Sequence, residues 1–254
     1  MEAFKREHPI CYFCATRPTT TEDHMPGRQF FIGRVGPEGF AFPCCEPCNG
    51  LTRQIEQAVA LIMRLGDHTE RPIPAEELER LALGVRNNAP QLMPTIDTSA
   101  RAVRKFFREN GLSPAPGASY KDTPILNLPG AYREAFALFS RKLICALHYK
   151  GVGSPVPLDS YIGVTWRHSV SGGADQMFET LRRTLGLERL GQRRNTDIGD
   201  QFSYRFDFNV EHGLFAAGAL FGRSFLIFGA VTPRLLSESP ITWHMHREDV
   251  ATGA

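Results

Sequence analysis

The chain has 254 residues, of which 42% are hydrophobic and 22% are charged, a composition typical of a globular protein with a packed core. Its formal net charge of +2 excludes a polycation that binds nucleic acid through bulk charge alone, so any such contact must come from local patches. The N-terminal segment is charged and has no apolar run before Cys11, so we expect no ordinary signal peptide and a cytoplasmic protein.

The first predicted unit covers residues 9–65. β-Branched residues precede the turn residues Pro26 and Gly27, which predicts a strand that ends there. An apolar stripe that begins after Asn49 and stops at Gly66 predicts a helix. The elements expected in this unit are strands over 18–24 and 40–43 and a helix over 49–65.

The rest of the chain divides at about Thr123. A proline-rich middle region holds two predicted helices, one that begins at Pro74 and one that runs from residue 98 or 99 to Asn110. The C-terminal part mixes helices and strands, which predicts an α+β domain with an antiparallel sheet. Its expected helices cover 131–149 and 175–190, and its expected strands cover 161–166, 202–208, 213–221 and 224–231.

The stretch from Gly213 to Val231 is apolar except for Arg223, and its length alone would permit a membrane span. An arginine in mid-bilayer costs about 2.5–3.5 kcal/mol on insertion scales. Gly222 and Arg223 also favour a tight turn at the centre. We therefore interpret the stretch as two buried strands, which leaves the membrane as the disfavoured alternative.

Two Cys-x-x-Cys pairs, Cys11/Cys14 and Cys45/Cys48, bracket the two strands of the first unit. This spacing is typical of a structural Zn²⁺ site, in which four thiolates surround a tetrahedral ion. In a reducing compartment, cysteines serve as metal ligands or buried thiols and not as disulfides. Cys44 is an alternative to Cys45, but the Cys-x-x-Cys spacing favours Cys45.

The segment Glu22-Asp23-His24-Met25-Pro26-Gly27-Arg28 lies between the two pairs, and Asn49 directly follows the last cysteine. With this pattern, residues 11 to about 57 resemble the HNH endonucleases, the ββα-metal or His-Me finger superfamily, in the variety that carries a structural zinc. The resemblance implies that Asp23 binds the catalytic metal and that His24 is the general base. It also implies that Asn49 orients the histidine loop or joins the metal shell.

The chemistry of phosphodiester hydrolysis agrees with these roles. The reaction needs an activated water, neutralisation of the charge on phosphorus and help for the departing 3′-oxygen, and one hard divalent cation can supply the last two. A carboxylate such as Asp23 suits Mg²⁺ or Mn²⁺. A histidine, whose ordinary pKa is about 6.5, can accept the proton of the water. Neighbouring strand residues point to opposite sides, so Asp23 and His24 serve one site only if the strand ends or bulges there.

The resemblance also suggests roles for Arg28 and Glu56. Arg28 stands where this variety often carries Lys or Arg after a proline pair, although Gly27 replaces the second proline. Its guanidinium would bind a non-scissile phosphate, or it is a solvated loop residue. No histidine follows Asn49 within the helix, so Glu56 is the candidate third ligand of the catalytic cation. Seven residues rise about 10.5 Å along a helix, which favours a surface or helix-pairing role for Glu56 unless Asn49 precedes the helix.

The expected fold class is α+β. We predict three parts: a zinc-stapled HNH nuclease module (1–66), a proline-rich helical connector (67–123) and an α+β domain (124–254) with an antiparallel sheet. The expected activity is metal-dependent endonuclease cleavage of DNA in a defence, restriction or mobile-element context, with RNA left open as a substrate. An activating ligand, a protein partner or a second copy of the chain would act through the C-terminal domain. The alternative is a non-catalytic zinc-binding module that contacts nucleic acid or protein.

Overall fold

The computed structural model describes residues 2–66, 73–114, 117–168, 201–222, 225–236 and 241–246. The helix expected over 175–190 and the residue Arg223 lie outside these ranges. The described helices are α1 (Glu2–Glu7), α2 (Glu46–Leu65), α3 (Ala75–Asn88), α4 (Ala100–Glu109) and α5 (Tyr132–Val152). The described strands are β1 (Thr21–His24), β2 (Ala41–Cys44), β3 (Thr95–Asp97), β4 (Ile125–Asn127), β5 (Tyr161–His168), β6 (Phe202–Asn209), β7 (Leu214–Phe221), β8 (Phe225–Thr232) and β9 (Thr242–Met245).

The N-terminal part consists of an antiparallel hairpin, β1 with β2, followed at once by α2. His24 at the end of β1 lies opposite Ala41 at the start of β2. The first strand is shorter than expected because Pro18 and Thr19 pair with the segment before Cys11: Pro18 forms a bridge with Ile10, and the N–H of Thr19 donates to the carbonyl of Pro9 at 2.9 Å. Helix α2 begins before Asn49, since Cys45 takes the N-cap position and a proline follows in the first turn.

The C-terminal part is built on a five-stranded sheet with the order β6-β7-β8-β5-β9. Every pair of neighbouring strands is antiparallel, which confirms the α+β class and the antiparallel sheet. The apolar stretch after residue 213 forms β7 and β8, as predicted, and both strands are almost entirely buried. Among the described residues, none of the helices has the length and apolarity needed to cross a membrane.

Helix α5 packs against both α2 and the sheet, where it contacts β5 and β8. The approach to the sheet is close at Gly229. A Cβ atom added there would lie 2.4 Å from Cγ1 of Ile144 on α5 and 2.8 Å from the carbonyl oxygen of Gly163 on β5. The missing side chain of this glycine therefore lets the helix lie directly on the strands.

One continuous hydrophobic core joins the N-terminal hairpin, α2, α5 and the inner face of the sheet. Aromatic contacts link the parts, with Phe30 stacked on Phe139 at 4.8 Å between ring centroids and Phe40 packed edge-on to Phe202 at 5.5 Å. A smaller cluster covers the opposite face of the sheet. The domain boundaries at residues 66 and 123 stay a prediction, but the packing joins residues from the two ends of the chain.

Candidate functional site

The four cysteines of the two Cys-x-x-Cys pairs converge on one point. Their Sγ atoms all lie within 4.8 Å of one another, and all four side chains are buried. Tetrahedral zinc with bonds of about 2.3 Å requires sulfur atoms about 3.8 Å apart. The Sγ atoms of Cys14 and Cys45 are 3.9 Å apart, which matches that requirement. The donor set and its spacing therefore fit a structural zinc ion.

The chain places these sulfurs with short local elements. Cys11 and Cys14 occupy a tight turn in which the N–H of Ala15 donates to the carbonyl of Cys11 at 3.0 Å. Cys45 is the N-cap of α2, and Cys48 lies in the first turn of that helix. A zinc ion bound there would join the turn after α1 to the start of α2.

The thiols are close enough to change one another's acidity. Hydrogen bonds from Cys14, Cys44 and Cys48 lower the pKa of Cys11, while the hydrogen bond between Cys48 and Cys11 raises the pKa of Cys48. Four thiolates at this spacing repel one another strongly, so all four can ionise together only around a cation.

Cys44 lies beside the cluster without being part of it. Its Sγ atom is 3.9 Å from that of Cys11 and is buried. The group in which all sulfurs approach one another contains Cys45 and not Cys44. The structure therefore agrees with the Cys-x-x-Cys spacing in its choice of ligand.

Asp23 and His24 face opposite sides of β1. Asp23 is only 5% exposed, whereas His24 is partly exposed. Strand β1 ends at His24, as the following Pro26 and Gly27 predicted. Both residues still lie in the regular ladder with β2, so their side chains alternate across the strand, and the chain turns only after the histidine.

Asp23 is held from inside the protein by two donors. The hydroxyl of Tyr12 donates to Oδ2 of Asp23 at 2.7 Å, and Nζ of Lys142 on α5 lies 2.8 Å from the same oxygen. Within the ranges that the structure describes, the other oxygen, Oδ1, accepts no hydrogen bond. Asp23 therefore has one committed oxygen and one that is chemically able to bind a divalent cation.

Lys142 also binds Glu56, on α2. Its Nζ lies 2.9 Å from Oε1 of Glu56 and donates to Oγ1 of Thr52, whose hydroxyl in turn donates to the same Glu56 oxygen at 2.7 Å. Lys142 is completely buried. One ammonium thus joins β1, α2 and α5 at a point between two carboxylates.

The charges in this network explain its protonation. Burial lowers the pKa of Lys142, but the carboxylates of Glu56 and Asp23 raise it more, so the pKa lies above its ordinary value and the ammonium stays charged. The pKa of Glu56 is raised, chiefly by burial. Glu56 therefore takes up a proton more readily than an exposed glutamate does.

His24 contacts Arg28 on the exposed side. A guanidinium nitrogen of Arg28 lies 3.3 Å from Nε2 of His24. Arginine has only donors, so Nε2 must be the acceptor in this contact and the imidazole proton must be on Nδ1. Arg28 is exposed, which leaves its remaining donors open to solvent or to an anion.

The loop after His24 is tied to the rest of the protein. The N–H of Gly33 donates to Oε1 of Glu77 on α3 at 3.0 Å, and Glu77 also binds Arg64 of α2 at 2.7 Å. The N–H of Ile32 donates to Oε1 of Gln201 at 2.7 Å, beside the start of β6. These contacts fix the backbone that carries Arg28 and follows His24.

Asn49 and Glu56 are both in α2, which separates them by about 10.5 Å along the helix axis. Asn49 is partly buried in the first turn, and in the described part of the chain its side chain makes no hydrogen bond. Glu56 is 5% exposed, so a surface role is wrong. Its contact with Lys142 confirms the helix-pairing alternative, while a direct role at a catalytic cation stays a prediction.

Sequence reasoning missed Tyr12, Thr52 and Lys142. Lys142 could have been found, because it lies on the stripe of α5 that also carries Phe139, Leu143 and other buried residues. A lysine in that position must meet a carboxylate or be neutral. No known family model, curated protein or solved structure matches this chain. Its function must therefore be inferred from the side chains of the site.

Proposed function

We propose that this protein is a metal-dependent endonuclease of the zinc-stapled HNH kind, which hydrolyses phosphodiester bonds in DNA. The observation that carries the proposal is the pairing of a buried carboxylate, Asp23, with a partly exposed histidine, His24, at the end of β1. The strand belongs to a hairpin that leads into α2 past the four-cysteine cluster. Asn49, in the first turn of α2, completes the expected set.

His24 acts as the general base in this proposal. Its Nε2 atom carries the lone pair, since it accepts from Arg28. When a phosphate draws the Arg28 guanidinium toward itself, that lone pair becomes free to take a proton from water. Arg28 thus has two successive partners, the histidine before DNA binds and a non-scissile phosphate afterwards.

Two kinds of metal would support this chemistry. Zinc held by the four cysteines would be structural, because four protein ligands leave no open coordination position. Asp23, through Oδ1, and Asn49 are the residues that would hold the catalytic Mg²⁺ or Mn²⁺. A cation held there would neutralise charge on the scissile phosphate and assist the departing 3′-oxygen.

The test is cleavage of supercoiled plasmid by purified protein in Mg²⁺, in Mn²⁺ and in EDTA, with zinc content measured on every sample. We expect metal-dependent nicking or linearisation that His24→Ala abolishes at unchanged zinc content. His212→Ala is the matched control, because His212 is exposed in the turn before β7. Full activity of His24→Ala would refute the proposed base.

A second candidate function is a non-catalytic zinc-binding module that contacts nucleic acid or protein. The ion pair between Asp23 and Lys142 favours it, because that contact gives the buried carboxylate a purely structural use. In this case no metal supports cutting, and His24→Ala leaves partner binding intact. Loss of Cys11 or Cys48 would still unfold the module, because zinc binding is coupled to folding in small metal sites.

A further inference from the structure

The hydrogen bonds at Asp23 are asymmetric. Both buried donors, the hydroxyl of Tyr12 at 2.7 Å and the ammonium of Lys142 at 2.8 Å, meet the same oxygen, Oδ2. Two donors on one oxygen fix the rotation of the carboxylate and leave Oδ1 as the oxygen available to a ligand.

Metal-binding carboxylates commonly depend on such support. A ligand that is held by hydrogen bonds from the protein does not have to be ordered when the cation arrives, so affinity rises. Lys142 is itself held on its other side by Glu56 and Thr52, so its position is determined independently of Asp23. The support therefore extends from α5 and α2 to the end of β1.

We propose that Tyr12 and Lys142 are positioning residues, which hold Asp23 through Oδ2 so that Oδ1 binds the divalent cation of the reaction. This inference rests on the proposed function. It goes beyond that function in making the site depend on α5, which lies outside the predicted nuclease module. Neither residue touches DNA or the cation.

Tyr12→Phe tests the proposal with the smallest change, since it removes only the hydroxyl. Binding of Mn²⁺ to zinc-loaded protein is followed through the electron paramagnetic resonance of free Mn²⁺. We expect one site that Asp23→Asn removes, and an affinity about 10- to 100-fold weaker in Tyr12→Phe. The matched control is Tyr132→Phe, because Tyr132 is equally buried and donates its hydroxyl at 2.8 Å to the carbonyl of Ala58. Its affinity should equal that of the wild type.

Lys142→Met gives a second readout. If the ammonium positions the carboxylate, Mn²⁺ affinity falls. A rise in affinity would mean that Lys142 competes with the cation for Asp23, and it would overturn the proposal. Mn²⁺ affinity that Tyr12→Phe leaves unchanged, or the absence of a site that depends on Asp23, would also overturn it.

The plasmid assay keeps this inference separate from the proposed function. If the protein cuts DNA through His24 but Tyr12→Phe leaves its Mn²⁺ affinity unchanged, the nuclease proposal stands and the positioning role is refuted. If the protein binds Mn²⁺ through Asp23 and Tyr12→Phe weakens that binding, but the protein cuts no DNA, the positioning role stands and the nuclease proposal is refuted. The two proposals can therefore be refuted separately.

Discussion

Replacing Lys142 by methionine should strongly destabilise the protein. The substitution keeps an unbranched side chain of similar length but removes the ammonium that lies between Asp23 and Glu56. Both carboxylates are nearly inaccessible to water, at 5% exposure each. Removing one partner of a buried ion pair costs about 3–5 kcal/mol, because it leaves an uncompensated buried charge. We expect a loss in this range at neutral pH.

A double-mutant cycle with Glu56→Gln measures how much of the stability lost in Lys142→Met comes from the contact with Glu56. Glutamine keeps the shape of Glu56 but carries no charge, so the lysine is then needed only by Asp23. The double variant should lose less stability than the sum of the single variants, by about 1–3 kcal/mol, as expected for groups in direct contact. Guanidinium unfolding at fixed zinc concentration measures all four proteins.

Lys105→Met is the control, since Lys105 is a 67% exposed lysine whose contact with Glu109 is 4.0 Å. It should change the free energy of unfolding by less than about 0.5 kcal/mol. The reasoning would be refuted if Lys142→Met behaved like this control, or if the effects of Lys142→Met and Glu56→Gln were simply additive.

Three further predictions concern the metal cluster, the buried glutamate and the packing of the sheet. Cys48→Ser should release zinc and unfold the hairpin, whereas Cys44→Ser should retain zinc; metal analysis and circular dichroism distinguish them. The pKa of Glu56 is raised above its ordinary 4.5, so folding favours the protonated form of this side chain. The stability that Glu56 contributes is therefore complete below pH 4.5, and it is lost as the pH rises through the pKa of the folded state. The free energy of unfolding of the wild type minus that of Glu56→Gln should therefore fall as the pH rises above 4.5, by at most about 1.4 kcal/mol per pH unit. A difference between the two proteins that stays constant or rises with pH would contradict this. Gly229→Ala should cost about 1–3 kcal/mol in chemical unfolding, because its Cβ would lie 2.4 Å from Ile144; an unchanged midpoint would show that α5 can move away.

The cysteine pairs and the long periodic segments were predictable because their rules are local. The spacing of Cys11 with Cys14 and of Cys45 with Cys48 requires only a tight turn, and the structure brings those four sulfurs together. The strands after residue 213 were readable from their unbroken apolar runs. The strand β9 has four residues, and among the described strands it pairs with β5 alone, so its identity depends on a distant partner.

The environment of Asp23 was not predictable for the same reason. The motif identified the residue and its neighbour His24, but the donors to its carboxylate come from Tyr12 and from Lys142 on α5. Sequence spacing within one segment carries no information about which helix will lie over it. The position of Lys142 on the apolar stripe of α5 predicts a buried partner of opposite charge, but it does not identify that partner.

The ion pair between α2 and α5 has a consequence for synthesis of the protein in a cell. Glu56 and Lys142 are separated by 86 positions in the chain. A ribosome adding about 5–20 residues per second needs roughly 4–17 s to pass from one to the other. During that interval the four cysteines, Asp23 and His24 have already been synthesised, but Lys142, whose ammonium compensates the carboxylates of Asp23 and Glu56, has not. The hairpin would remain incompletely folded on the ribosome until α5 emerges, so that a cell meets the finished site only after more than half of the chain has been made.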